Sequence, residues 1–160
     1  MSKVLRSSTM PEKCFIDTTV LLEVILRKKF SVLESLAKYS VHTSVNVLEE
    51  AAFKIIYASV VDELQTEHAG VFKVKGSFEK GAGSHLIETR LHALNVLKSH
   101  LVVLELDENI FDLAKDIIQV YKFLPNDALI AATCKHYGIG KIATFDEDFK
   151  RVDFLEVVEI

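Results

Sequence analysis

Three stretches of this sequence carry carboxylates to places where an α/β sheet could use them. Cys14-Phe15-Ile16 is a brief apolar run that ends on Asp17, with Thr18 and Thr19 behind it. Pro125-Asn126-Asp127-Ala128-Leu129-Ile130-Ala131-Ala132 sets an acid in the first turn of an apolar helix. Ile142-Ala143-Thr144 reads as a short strand running into Phe145-Asp146-Glu147-Asp148-Phe149. Ligands of open α/β sheets bind in the crevice beyond the carboxyl ends of the strands, so Asp17 and Asp146 are expected there. Asp127 reaches that edge if its helix begins there, and so does Glu50, early in the helix that follows Ser44. Carboxylates crowded together raise one another's pKa, and a divalent cation removes the conflict. An oxygen-only set favours Mg²⁺ or Mn²⁺ over zinc. Each acid also has an ordinary use, as a helix cap, a dipole partner or part of a solvated face. Four of them meeting at one edge is what points to a metal site.

The elements that must position these residues follow from periodicity and punctuation. A strand is expected over Lys13 to Ile16, then a helix opening at Thr18 or Thr19 and stopping near Arg27-Lys28-Lys29. A short helix over Ser31 to Lys38 leads to a strand at Val41 to Ser44. Ser44 then suits the N-cap of a long helix ending near Gln65, with Val47, Leu48, Ala51, Ala52, Ile55 and Ile56 on its apolar face. Gly70, Gly76, Gly81 and Gly83 mark Thr66 to Ser84 as a loop or mobile hairpin. Helices are expected over His85 to Lys98, Glu108 to Tyr121 and Asn126 to Tyr137. The unbroken apolar run Leu101 to Leu106 suits a central parallel strand covered on both faces. A helical turn at Glu147 to Arg151 and a strand at Leu155 to Val158 close the chain. Strands alternating with helices predict an α/β fold with a parallel sheet.

With 160 residues, 49% of them apolar and 26% charged, the chain has the length and composition of one globular domain. That domain is expected over 13–160, after a polar, flexible N-terminal segment at 1–12 with no apolar run of signal-peptide type. No stretch approaches the about 18 apolar residues of a membrane span, so a cytoplasmic protein is expected. Cys14 and Cys134 fit no zinc spacing and read as small core residues. The net charge of −4 excludes a general nucleic-acid coat. Yet His68 to His100 holds Lys73, Lys75, Lys80, Arg90 and Lys98 against only Glu79 and Glu88. Such a locally basic stretch is either a solvated face or a rim that meets phosphates.

Taken in order, Asp17-Thr18, Thr43-Ser44 with Val47-Leu48-Glu49-Glu50, Leu124-Pro125-Asn126-Asp127 and Ala143-Thr144-Phe145-Asp146-Glu147-Asp148-Phe149 resemble the PIN domain family across nearly the whole chain. The closest flavour is that of the VapC-type toxins of toxin–antitoxin pairs. The resemblance implies a PIN-like three-layer fold, a central parallel sheet flanked by helices. It implies Mg²⁺- or Mn²⁺-dependent endoribonuclease cleavage of single-stranded or structured RNA, leaving a 5′-phosphate and a 3′-hydroxyl. It also implies a homodimer and a cognate antitoxin. By position, the family's acids fall on Asp17, Asp127 and Asp146, and the remaining one on Glu49 or Glu50. Spacing from Ser44 favours Glu50, and adjacent helical positions point about 100° apart, so only one can enter the site. Thr18, Ser44, Thr144 and Asp148 fall at surrounding positions, and Lys73, Lys75, Lys80 and Arg90 are candidate RNA contacts. The segment Thr66 to Ser84 is longer than compact toxins need. Two further roles therefore stand beside the toxin: an RNA-processing nuclease and a non-catalytic binding module. Retention of all four acids weighs against the last.

Overall fold

Strand β1 (Lys13–Ile16) is the centre of the molecule, and its Cys14, Phe15 and Ile16 are buried because both of its edges and both of its faces are covered. In the computed structural model, which describes residues 10–160, β1 pairs in parallel with β2 (Ser40–Ser44) on one side. On the other side it pairs in parallel with β4 (Lys141–Ala143). The first nine residues of the segment expected to be flexible lie outside the described residues. Met10, Pro11 and Glu12 are exposed, and the Glu12 carbonyl accepts from the Ser40 amide at 2.9 Å. Strand β3 (Val102–Leu104) extends the sheet beyond β2, and β5 (Glu156–Val157) extends it beyond β4. The order is β3-β2-β1-β4-β5, all parallel.

The chain moves outward from β1 to β3, then returns to the far side of β1. Right-handed crossovers therefore place the helices before the return on one face and those after it on the other. The first group is α1 (Thr18–Arg27), α2 (Ser31–Leu36), α3 (Val45–Glu63), α4 (Val71–Glu79) and α5 (Ser84–Lys98). The second is α6 (Glu108–Tyr121) and α7 (Pro125–His136), which pack on each other. The chain is thus a three-layer α/β fold with its topological switch point between β1 and β4, where a crevice opens.

Local chemistry explains several boundaries. Asp17 caps α1 by accepting from the Thr19 amide at 2.8 Å, and Asp107 caps α6 through the Ile110 amide at 2.9 Å. Pro125 occupies the first turn of α7, where a missing N–H costs nothing. Ser44 sits at the α3 cap position in extended backbone, but its hydroxyl goes to the Asn46 side chain instead of a helix amide. Both cysteines are fully buried, and burial pushes the Cys14 thiol up to about 11.

Two expectations are corrected. Thr66 to Ser84 is not a loop, since α4 occupies Val71–Glu79 with Gly76 inside it. Val74 enters a second apolar cluster with Val60, Ala69 and Ile87, and that burial outweighs the weak helix propensity of glycine. The run around Val102 and Val103 is not a central strand. β3 is an edge, with those residues 49% and 37% exposed, because among the described residues only β2 pairs with it.

The glycines of the corrected segment have different jobs. Gly83, at φ +77°, brings the start of α5 against the α3 backbone, where an added Cβ would meet Ser59 and Val60 backbone atoms at 3.0 Å. Gly76 has open space around it. Gly83→Ala should therefore destabilise the fold by about 1–3 kcal/mol. Gly76→Ala should stabilise it by about 0.5–1 kcal/mol, through helix propensity. Urea unfolding of both variants checks the pair, and a Gly76→Ala protein no more stable than the parent would argue against the helix.

Candidate active site

Asp17 leaves the end of β1 and is only 4% exposed. Burial pushes its carboxyl up, and hydrogen bonds oppose the shift. Thr144 Oγ1, from the end of β4, donates to Oδ2 at 2.6 Å, while Thr19 Oγ1 donates to Oδ1 at 2.6 Å. The Asp17 amide also reaches the Ala143 carbonyl at 3.3 Å, so β1 and β4 are stitched together where they leave the sheet. From there Asp146 turns into a 3₁₀ helix (Glu147–Arg151), its amide donating to Thr144 Oγ1 at 2.9 Å. Its Oδ1 accepts from the Asp148 amide at 2.9 Å. Phe149, wholly buried, anchors that turn against Phe123 with ring centroids 5.4 Å apart.

Glu50 enters from α3. Its Oε2 accepts from Thr18 Oγ1 at 2.9 Å and from Asn126 Nδ2, and its Oε1 pairs with Lys54 at 2.6 Å. Glu49 is exposed. Asn126 Oδ1 accepts from Asn46 Nδ2 at 2.7 Å, and Asn46 in turn holds Ser44 Oγ at 2.6 Å. The hydrogen bonds therefore link α1, α3 and α7, the helix whose first turn carries Asp127.

Asp127 reports on the whole group. Its carboxyl is pushed up to about 6, first by burial, then by the charges of Asp146, Glu50, Asp17 and Asp148. The five acids thus share one electrostatic neighbourhood at the switch point. Thr18, Ser44 and Thr144 are buried beside them, and Asp148 is exposed at the rim.

Thr19, Asn46, Lys54 and Asn126 belong to this web and were not singled out from sequence. Asn46, Glu50 and Lys54 recur every fourth residue, which places them on one face of α3. That spacing was a usable signal. The basic candidates divide differently. Lys73, Lys75 and Lys80 are exposed on α4 and the turn after it, with Lys75 3.8 Å from Glu79. Arg90 spends its guanidinium on Ser59 Oγ at 2.9 Å and Asp62 at 2.6 Å, tying α5 to α3.

The chain is a three-layer α/β fold with acids gathered at its switch point, and comparison with known proteins narrows it to a family. Residues 14–155 match the PIN domain, and the chain belongs to that family. Over 154 residues it is 30% identical to ribonuclease VapC6 of Methanocaldococcus jannaschii, covering 93% of this chain and 98% of that protein. A 58-residue stretch is 57% identical to ribonuclease VapC2 of the same organism, spanning 36% of this chain and 39% of the relative. Among solved structures, a toxin–antitoxin complex from Klebsiella pneumoniae shares the fold with a TM-score of 0.59 at 16% identity. That match covers 91% of this chain and 96% of the other.

The raised Asp127 carboxyl makes stability depend on pH with a definite sign. Below its ordinary value of 3.8 the group is protonated whether the chain is folded or not, and neither burial nor repulsion of the charge costs anything. Between there and about 6 the unfolded chain ionises first and the folded state loses ground. Above about 6 the penalty is complete. In EDTA, Asp127→Asn should therefore gain melting temperature over the parent as pH rises from 4 to 7.5. An unchanged difference between the two proteins across that range would show that folding does not raise the Asp127 carboxyl.

Proposed function

We propose that this chain is a metal-dependent endoribonuclease of the VapC type, cutting phosphodiester bonds of RNA in the cytoplasm as the toxin of a toxin–antitoxin pair. The observation that carries the reading is the acid cluster at the switch point, where burial first and four neighbouring carboxylates second push Asp127 up. Its relatives' names as ribonucleases and the toxin–antitoxin complex that shares its fold support the substrate class and the partner. No helix among the described residues is long and apolar enough to cross a membrane. A homodimer is part of the same reading.

The donor chemistry fits a hard divalent cation, Mg²⁺ or Mn²⁺. All the donors are carboxylate oxygens, and their mutual repulsion is what such a cation relieves. Among the described residues no three acidic, histidine or cysteine side chains already close on a single point. Asp17, Glu50, Asp127 and Asp146 would hold it, with Asp148 at the rim. When bound, the cation supplies Lewis-acid polarisation of the phosphate and activation of the attacking water.

The chain's own residues do the positioning. Thr19 and Thr144 fix both oxygens of Asp17, and Thr18 and Asn126 fix Glu50, so neither carboxylate is free to swing. Lys54 sets a positive charge beside Glu50, which offsets part of the repulsion an RNA phosphate meets on approach. Lys73, Lys75 and Lys80 are the exposed lysines we assign to RNA backbone contact farther out.

With Mn²⁺ and single-stranded RNA, Asp17→Asn and Asp127→Asn should each lose cleavage on the order of 10²–10³-fold. Glu49→Gln should cleave like the parent. Manganese should raise the melting temperature of the parent in a concentration-dependent way and raise that of Asp17→Asn far less. Full cleavage by both aspartate variants would end the assignment. Expression without a partner separates the two enzymatic roles: a toxin arrests growth, whereas a processing nuclease leaves it unaffected.

A further inference from the structure

Phe145 stands between the acid cluster and an open depression, and the chemistry above leaves it without a role. Its amide donates to Thr19 Oγ1 at 2.9 Å, the hydroxyl that also donates to Asp17, so the backbone bearing the ring is fixed relative to the acids. Lys29 Nζ lies 4.5 Å from the ring centroid, a cation–π contact that holds the ring in place. The residue is still 37% exposed. It borders a depression of 440 Å³ whose walls include Thr144, Glu147, Lys150 and Glu159. Thr144 is also the residue that holds Asp17 Oδ2, so depression and acid cluster share a wall.

We infer that this depression is a nucleobase subsite, in which a base flanking the scissile phosphate stacks on Phe145. The inference rests on the ribonuclease reading above and adds where the substrate is gripped. The volume lies in the range of small-ligand pockets and suits a nucleoside. Unstacked bases of single-stranded RNA are characteristically held on aromatic rings, and such stacking tolerates any base. Glu147 is paired with Lys150, Lys29 sits against the ring, and Glu159 adds a further carboxylate to the wall. A neutral base with N–H donors on its edge meets carboxylates able to accept them beside the ring.

The test is fluorescence of a single-stranded oligoribonucleotide carrying 2-aminopurine beside a bond that the parent protein cleaves. It is bound in manganese to Asp127→Asn protein so that it stays intact. Stacking should quench the fluorophore on binding. Adding Phe145→Ala should abolish the quench and weaken binding about tenfold. Adding Phe145→Tyr should keep both, and matching melting temperatures would show that the fold is intact. Equal quenching and affinity with alanine at 145, in a protein whose parent cleaves RNA, would overturn the subsite alone. A parent that neither binds nor cleaves any RNA would remove the ribonuclease reading and the subsite together.

Discussion

Everything in this molecule is arranged around a repulsion. Several carboxylates converge where β1 and β4 leave the sheet, in surroundings dry enough to push Asp127 up to about 6 and to raise Asp17 as well. A fold that gathers like charges there must hold them by other means. It does so with neutral donors: Thr19 and Thr144 on Asp17, Thr18 and Asn126 on Glu50. These bonds favour the charged forms, whereas burial disfavours them, and the balance leaves an electronegative site primed for a cation.

The sheet order is what makes the convergence possible. Because β1 is central, its end and that of β4 lie side by side at the place where the chain changes direction. Helices α1, α3 and α7 all begin near that edge, so Asp17, Glu50 and Asp127 arrive from three separate crossovers. Helix starts also carry unpaired amides, and the cap of α1 is itself one of the acids. Asp17 therefore stabilises its helix and belongs to the acid cluster with the same carboxylate. Phe149 contributes from behind, packing against Phe123 to keep the turn bearing Asp146 and Asp148 in register.

Away from that edge the chain has more freedom, and it uses it. The segment that forms α4 packs on α3 through its own small apolar cluster, separate from the main core. Gly83 permits the close approach of α5, and Arg90 fastens the same pair of helices through Ser59 and Asp62. A guanidinium engaged in this way is a strut. The exposed lysines of α4 remain as the basic feature of this segment, set on a helix and not on a hairpin.

The alternation of strands and helices, and the placing of Asp17, Asp127 and Asp146, were legible in the sequence because they depend on local rules. Short apolar runs end in acids, and a proline marks a helix start. The identity of the acid on α3 was narrowed by spacing, and the contacts of Glu50 with Thr18 and Asn126 come only from tertiary structure. So does the role of Asn126, whose partners lie on a helix 76 and 80 residues away in the chain. The helix at Val71–Glu79 and the edge position of β3 were hidden for a related reason. Glycine content and apolar runs report what a segment prefers by itself, while its final state is set by neighbours that sequence does not name. Burial of Val74 against Val60 and Ile87 decides the first, and the lack, among the described residues, of a strand beyond Val102–Leu104 decides the second.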